Sequence, residues 1–271
     1  MRSPFRYPGG KTWLIPVIRE WLRGMQPPSV FVEPFAGGGI ISMTVAAEQM
    51  APRVVMSEIE KGVAALWKVV LEDDAKKIVE RIRRFNISRE SVLEALEKKP
   101  ANRVDLAFQT LLRNRTQRGG IVASGASLMR NGENGRGVAS RWYPQTLIRR
   151  IEEIHAMAGR IEFHERDAYE VIAEHLTNRT AAFFVDPPYT CGGKNAGRRL
   201  YTHNQVDHQR LFQLLARASG MVLCTYSDSP EVRWLSERYG FTVHEVAMKN
   251  THHTAMKELV LLRNGFNEDR N

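Results

Sequence analysis

The run Asp186-Pro187-Pro188-Tyr189 follows the apolar segment Ala181-Ala182-Phe183-Phe184-Val185. Two successive prolines neither extend a central strand nor start a helix freely, so the backbone there is stiff and extended. The Asp186 carboxylate, the Pro187 carbonyl and the flat ring of Tyr189 make two acceptors beside a stacking face, with Pro188 holding them apart. Such a set suits an exocyclic amino group on a planar base. These four residues are the catalytic candidates.

A second set lies earlier. Phe35-Ala36-Gly37-Gly38-Gly39 closes the apolar run Ser29–Glu33, and Glu58 ends the next one. Glycines at such a turn let a ligand approach the backbone, and an acid about twenty residues on can accept from both hydroxyls of a ribose. Together they point to a nucleoside-containing cofactor. Gly10-Lys11-Thr12 has the ending of a phosphate-binding loop, but Phe5 stands where that motif needs glycine, and there is no room for the strand that should precede it. NTP hydrolysis is excluded on that ground. His203, His208, His252 and His253 sit at no recognised zinc spacing, so no metal is expected. Cys191, close behind the tetrapeptide, has no paired general base to make it a nucleophile.

The elements that must position these groups alternate in type. Helical spacing over Lys11–Leu22 precedes a strand at Ser29–Glu33, a helix from Ile40 to Met50, a strand at Arg53–Glu58 and a helix near Lys61–Leu71. Strand, glycine turn, helix and strand form one βαβ unit and imply a parallel sheet. A charged helical stretch runs from Glu72 to about Lys99. Residues 114–141 hold six glycines among arginines and read as a long loop or hairpin, the length that usually marks function. A helix at Pro144–Ala158, a strand at Arg160–His164, a helix at Tyr169–His175 and the strand Ala181–Val185 follow. Asp207 caps a helix to Ala218, Met221–Tyr226 is a strand, Asp228-Ser229-Pro230 opens a helix, and Phe241–Lys249 with Lys257–Arg263 form an antiparallel pair. The basic middle is therefore inserted into one α/β domain.

Composition narrows the partner. The 271 residues carry 39 Lys+Arg against 30 Asp+Glu, a formal +9, and the hydrophobic share of 43% is that of a chain with a real core. No apolar run approaches a membrane span, the first residues lack the apolar stretch of a secretory signal, and two cysteines make no disulfide framework. A cytoplasmic protein is expected. Between Ala101 and Arg150 stand nine arginines and no lysine, opposed only by Asp105 and Glu133. Guanidinium groups read phosphate oxygens and guanine edges by paired hydrogen bonds, so this stretch points to nucleic acid. The plainer alternative is a solvated basic face.

These motifs, in this order, resemble the Dam-type amino DNA methyltransferases, the D12 class of N6-adenine enzymes. The segment Arg6-Tyr7-Pro8-Gly9-Gly10-Lys11 is similar to the family's N-terminal motif, and Phe31–Gly39 to its S-adenosylmethionine loop. Ser57-Glu58 matches the ribose-binding acid, although many relatives carry aspartate there. Arg166-Asp167-Ala168-Tyr169 falls where the family has an acid near the cofactor adenine, and Asp186-Pro187-Pro188-Tyr189 is its catalytic tetrapeptide. Asn114-Arg115-Thr116 and Arg141-Trp142 are similar to its target-recognition segment, and Glu258-Leu259-Val260-Leu261 to its closing strand. Tyr7-Pro8 replaces the Trp-Ala of close Dam relatives. Base-reading residues do not transfer through 117–141, so the target need not be GATC.

The resemblance implies a Rossmann-like methyltransferase fold with a closing antiparallel hairpin and an inserted, mostly helical recognition domain. Residues 1–61 and 159–271 would be catalytic and 62–158 the insert. S-adenosylmethionine would be held by Tyr7, Lys11, Phe35, Ala36, Gly37, Gly39, Glu58, Asp167 and Asp186. Double-stranded DNA would meet Arg6, Asn114, Arg115, Arg118, Arg130, Arg136 and Arg141. Neither metal nor membrane is expected, and the oligomeric state stays open, a monomer in solution being one option. Cytosine-N4 methylation uses the same amine chemistry, and Asp rather than Ser at 186 favours adenine. A catalytically silent DNA-binding module and methylation of RNA or protein amides are the other readings, against which the intact tetrapeptide and the arginine-dense insert stand.

Overall fold

A computed structural model describes residues 3–6, 10–24, 26–72, 74–118, 127–132, 135–188, 206–249 and 255–264. A 3-10 turn, Lys11–Leu14, leads into helix α1 (Ile15–Arg23), and the first βαβ unit follows as β1 (Val30–Glu33), α2 (Ile40–Ala47) and β2 (Val54–Ser57). Four-residue strands this apolar are buried on both faces, as parallel strands covered by helices must be. The next stretch of chain supplies α3 (Lys61–Leu71), α4 (Ala75–Arg84), α5 (Arg89–Glu97), α6 (Arg103–Thr116) and α7 (Pro144–His155), the region expected as an insert. The chain then alternates through β3 (Ile161–His164), α8 (Ala168–His175), β4 (Ala181–Val185), α9 (His208–Leu215), β5 (Met221–Ser227) and α10 (Pro230–Arg238). The hairpin β6 (Thr242–Lys249) and β7 (Ala255–Arg263) closes it.

These strands form one seven-stranded sheet in the order β3-β2-β1-β4-β5-β7-β6, in which β7 alone runs antiparallel to its neighbours. From β1 the chain moves outward to β2 and β3, then returns to place β4 on the other side. The order therefore reverses between β1 and β4, and sheets of this kind bind ligands outside the carboxyl ends of the strands at such a point.

Alternation along the strands sorts the two faces. Phe31, Met56, Phe184, Leu223, Val260 and Leu262 belong to a cluster continuous with the inner sides of α3, α4, α6 and α7. Val32, Val55, Phe183, Val222, Leu259 and Leu261 join α8, α9 and α10 on the other face. The insert therefore has no core separate from the sheet. The division at 61/62 and 158/159 follows the chain, while the packing runs across it. Gly62 on α3 lets α6 close in, because an added Cβ would meet Thr110 Oγ1 at 2.5 Å.

Of the loop or hairpin expected over 114–141, the first residues are helix and the next pair as a hairpin does: α6 runs to Thr116, and Gln117 then pairs antiparallel with Leu128, backed by Met129 N–H donating to the Thr116 carbonyl. Helix α6 is hard to see in the sequence because its arginines stand out as charge and mask the amphipathic repeat of its apolar residues. Trp142 is buried, edge-on to Phe85 and Phe108 at centroid distances of 5.7 and 6.1 Å, and packs these helices together.

Candidate active site

Asp186 leaves β4 at the switch point, and both of its oxygens are engaged. The Lys11 ammonium lies 2.9 Å from Oδ2, and the Thr225 hydroxyl donates to Oδ1 at 2.6 Å. The Lys11 side chain is 7% exposed and that of Asp186 24%, so the carboxylate alone of the pair opens toward solvent. Pro187 is buried and Pro188 half-buried, which anchors the corner behind it. Tyr189 lies outside the described residues, as do Tyr7, Cys191, His203, His252 and His253.

Acids converge on the same place. Glu33 ends β1 on the same face as Phe31, fully enclosed, and accepts the Ser42 N–H at 2.8 Å. Burial pushes its carboxyl up to about 8; nearby Asp186 adds to the rise, while Ser42 and Lys11 offset it. Cys224, one residue before Thr225, is likewise driven well above the usual thiol range by burial and by Asp186, so it is inert as a nucleophile. His208 packs edge-on against Tyr226, with Nδ1 3.2 Å from the phenol oxygen, and burial lowers its pKa. Its place is in the core. Among the described residues no group of three His, Cys, Asp or Glu is arranged to hold a metal.

The glycine turn lies beside this corner. Gly39 has φ +59°, and an added Cβ would stand 2.7 Å from both Met56 Cε and Trp67 Cζ2. The methionine tip can move, but the indole is tied through Nε1 to the Gly37 carbonyl at 2.9 Å. Trp67 is thus core and also the floor of the turn. Ala36 N–H donates to the Ser57 carbonyl, and the Ser57 hydroxyl to the Pro34 carbonyl, clipping β1 and β2 together at the rim. Glu58 receives Ile59 and Glu60 N–H on Oε1 and Gly37 N–H on Oε2, at 2.8, 2.9 and 3.0 Å. Burial raises its carboxyl, partly offset by these three bonds. One acceptor position on Oε2 stays open for a hydroxyl. Ile59, 42% exposed, offers an apolar surface next to it. Asp167 caps α8 at the carboxyl end of β3, accepting Tyr169 N–H at 2.8 Å.

The nucleic-acid candidates separate into two kinds. Arg6, Arg118, Arg130 and Arg136 are exposed, Arg136 standing over the exposed Tyr143 ring, and Arg141 is half-buried. Asn114 and Arg115 are buried and do not line an open surface. The Asn114 amide clasps the backbone of Arg6 from both sides, taking its N–H and donating to its carbonyl at 2.8 Å each. Arg115 donates to the Pro4 carbonyl, and burial together with Arg150, Arg6 and Arg141 brings its pKa down to about 9. Both side chains hold the N-terminal segment that delivers Lys11. Sequence reasoning missed Thr225, Ile59 and the convergence of Glu33 and Glu258 on Asp186. Their strand positions carried a signal, since Glu33 and Glu258 are acids inside apolar runs.

A parallel sheet reversing at a glycine turn, an acid closing β2 and an aspartate before two prolines at the end of β4 define a methyltransferase of the Rossmann-like class. The model of the D12 class N6 adenine-specific DNA methyltransferases matches residues 7–251, and the chain belongs to that family. It is an adenine-specific DNA methyltransferase with S-adenosylmethionine as its cofactor. Similar solved structures include an rRNA methylase from Streptococcus thermophilus (9% identity, 91% of this chain and 93% of that one, TM-score 0.40). A methyltransferase from Geobacter sulfurreducens shares 13% identity over 96% and 80% of the two chains with a TM-score of 0.40. A precorrin-6y C5,15-methyltransferase from Geobacter metallireducens shares 11% over 95% and 92%, with a TM-score of 0.37. No curated protein matches significantly.

Proposed function

We propose that Asp186 and the Pro187 carbonyl receive the two N6–H bonds of an adenine flipped out of double-stranded DNA, and that Tyr189 stacks on the ring. The observation that carries this reading is the Asp186 carboxylate at the switch point, its Oδ1 fixed by Thr225 and its open side beside the glycine turn. The Phe35–Gly39 turn with Glu58 and Ile59 would hold the cofactor's ribose and adenine, and Lys11, Tyr7 and Asp167 would complete its surroundings. The cofactor fits these residues: the left-handed Gly37 and Gly39 fold the turn tightly over Trp67, and among the described residues Glu58 Oε2 accepts one bond, so it can take a ribose hydroxyl as well. When bound, it supplies an electrophilic methyl on a sulfonium.

The residues of this chain do the rest. The N6 lone pair is delocalised into the purine, and acceptors on both N–H bonds localise it and aim it. Methylation would place positive charge on N6. Fixed oxygens on Asp186 and Pro187 meet that charge without reorganising, an effect worth about 2–4 kcal/mol per group elsewhere. Extruding the base costs a few kcal/mol, of which stacking returns about 1–3. Arg6, Arg118, Arg130, Arg136 and Arg141 would grip phosphates and read base edges, while Asn114 and Arg115 support them from beneath. Work on a DNA substrate fits a cytoplasmic enzyme.

Asp186→Ala should abolish methyl transfer to duplex DNA while cofactor binding, measured by calorimetry, persists. Nucleoside mass spectrometry of DNA treated with the parent should show N6-methyladenine and no N4-methylcytosine. Transfer at a near-parent rate by the variant would sink the assignment of Asp186.

A further inference from the structure

Glu258 has no role in the chemistry so far, yet the sheet aims it at the catalytic corner. On β7 it stands opposite Ser227 of β5, and Val260 stands opposite Thr225. Opposed residues of an antiparallel pair share a face, and residues two apart along a strand do too, so Glu258 and Thr225 are diagonal neighbours, about 7–8 Å apart at the backbone. Thr225 is the residue whose hydroxyl holds Asp186. Glu258 is 9% exposed, and its Oε2 is buried with no hydrogen-bond partner. A buried carboxylate oxygen without a donor is costly, and native structures keep one chiefly where a donor arrives in another state. Among the described residues the charged groups around it are the Lys11 ammonium from the 3-10 turn and Asp186 from the end of β4, with Glu33 of β1 facing the same pair. Lys11 is the cation that these three carboxyls share.

We propose that Glu258 is a positioning residue that receives the Lys11 ammonium when the amino group of the substrate base displaces it from Asp186 Oδ2. Without a base, Lys11 occupies the oxygen that N6–H must reach. Displacement costs the ammonium its ion pair with Asp186, and Glu258 Oε2 offers it a carboxylate in exchange. No covalent bond changes and no proton moves in the exchange; one hydrogen bond on Asp186 is replaced by another, and the orphaned oxygen gains its donor. The inference rests on the reading of Asp186 as acceptor for the base.

Glu258→Gln keeps the shape and removes the charge. At saturating duplex and cofactor its kcat should fall roughly tenfold with KM for the cofactor within about twofold. The pH profile gives a readout that a packing defect would not move. Burial holds the Glu258 carboxyl above the ordinary carboxylate range, and Asp186 adds to this while Lys11 opposes it. The group must be ionised to take Lys11, so kcat of the parent should drop as pH falls through that raised value. Glu258→Gln should lose this acid limb, Glu258→Asp should restore it, and adding Glu258→Gln to Lys11→Met should cause no further loss. A parent-like rate and profile in Glu258→Gln, or a full additional loss in the double variant, would overturn the proposal. If Glu258→Gln does not fold, Lys11→Met alone decides: the limb must vanish with it. Asp186→Asn separates the two readings. Activity in that variant refutes the role of Asp186 itself, whereas an inactive Asp186→Asn beside a parent-like Glu258→Gln refutes only the exchange.

Discussion

Thr225 shows how one hydroxyl can set the geometry of the reaction. Its Oγ1 donates to Asp186 Oδ1 at 2.6 Å, it is fully buried, and it fixes the rotation of the carboxylate whose other oxygen meets Lys11. Thr225→Val preserves volume and β-branching while deleting the donor. A hydrogen bond to a charged acceptor is worth about 1.5–3 kcal/mol, so kcat should fall about 10- to 100-fold if the alignment matters in the transition state. Thr225→Ser should stay within about threefold of the parent, since the donor remains. Single-turnover transfer of labelled methyl groups measures both, and equal losses in the two variants would show that packing rather than the hydroxyl is responsible. None of this could be read from Met221–Tyr226 as a string, where threonine is an ordinary strand residue. Asp186 was legible because two prolines after an apolar run leave few conformations, and Glu58 because a carboxylate ending a buried strand needs a reason.

Among the elements, α6 joins recognition to catalysis. Its last turn bears Asn114, whose amide pairs with both backbone groups of Arg6, and Arg115, which holds the Pro4 carbonyl. The held segment continues to Gly10 and the turn that carries Lys11 to Asp186. Asn114→Ala would remove both of the amide's hydrogen bonds to the Arg6 backbone, each worth about 0.5–1.5 kcal/mol. The variant should melt lower and methylate more slowly while binding duplex within about threefold of the parent, because the residue supports the surface without forming it. A large loss of duplex affinity with unchanged melting would instead restore it to the surface. The sequence marked this stretch as important but not as helical. Polar and charged residues cover one side of α6, and only the cluster with α3 and α4 shows that Ala107, Phe108, Leu111 and Leu112 make the other side apolar.

At the scale of the molecule the excess positive charge is collected on the insert, and the structure divides those arginines into buried and exposed. Arg118, Arg130 and Arg136 are exposed. Every phosphate that the protein ceases to neutralise reduces the slope of log affinity against log salt by about 0.9, so replacing all three with alanine should flatten it by about 2–3 units without changing the melting temperature. Fluorescence anisotropy on duplex DNA across a salt series measures this, and an unchanged slope would place the DNA elsewhere.

What the sequence determined alone was local: a strand followed by glycines, an acid closing the next strand, a stiff corner after a third, a hairpin at the end, and with them the cofactor class and the amine chemistry. Side-chain alternation and backbone restriction act over a few residues and survive in a one-dimensional string. The tertiary structure decided which far-apart residues share the site. Lys11, Glu33, Asp186, Thr225 and Glu258 meet because β1, β4, β5 and β7 are neighbours in the sheet and bring their ends to one place. Strand order depends on how the whole chain covers two apolar faces at once, a property of the packed core that no single segment carries.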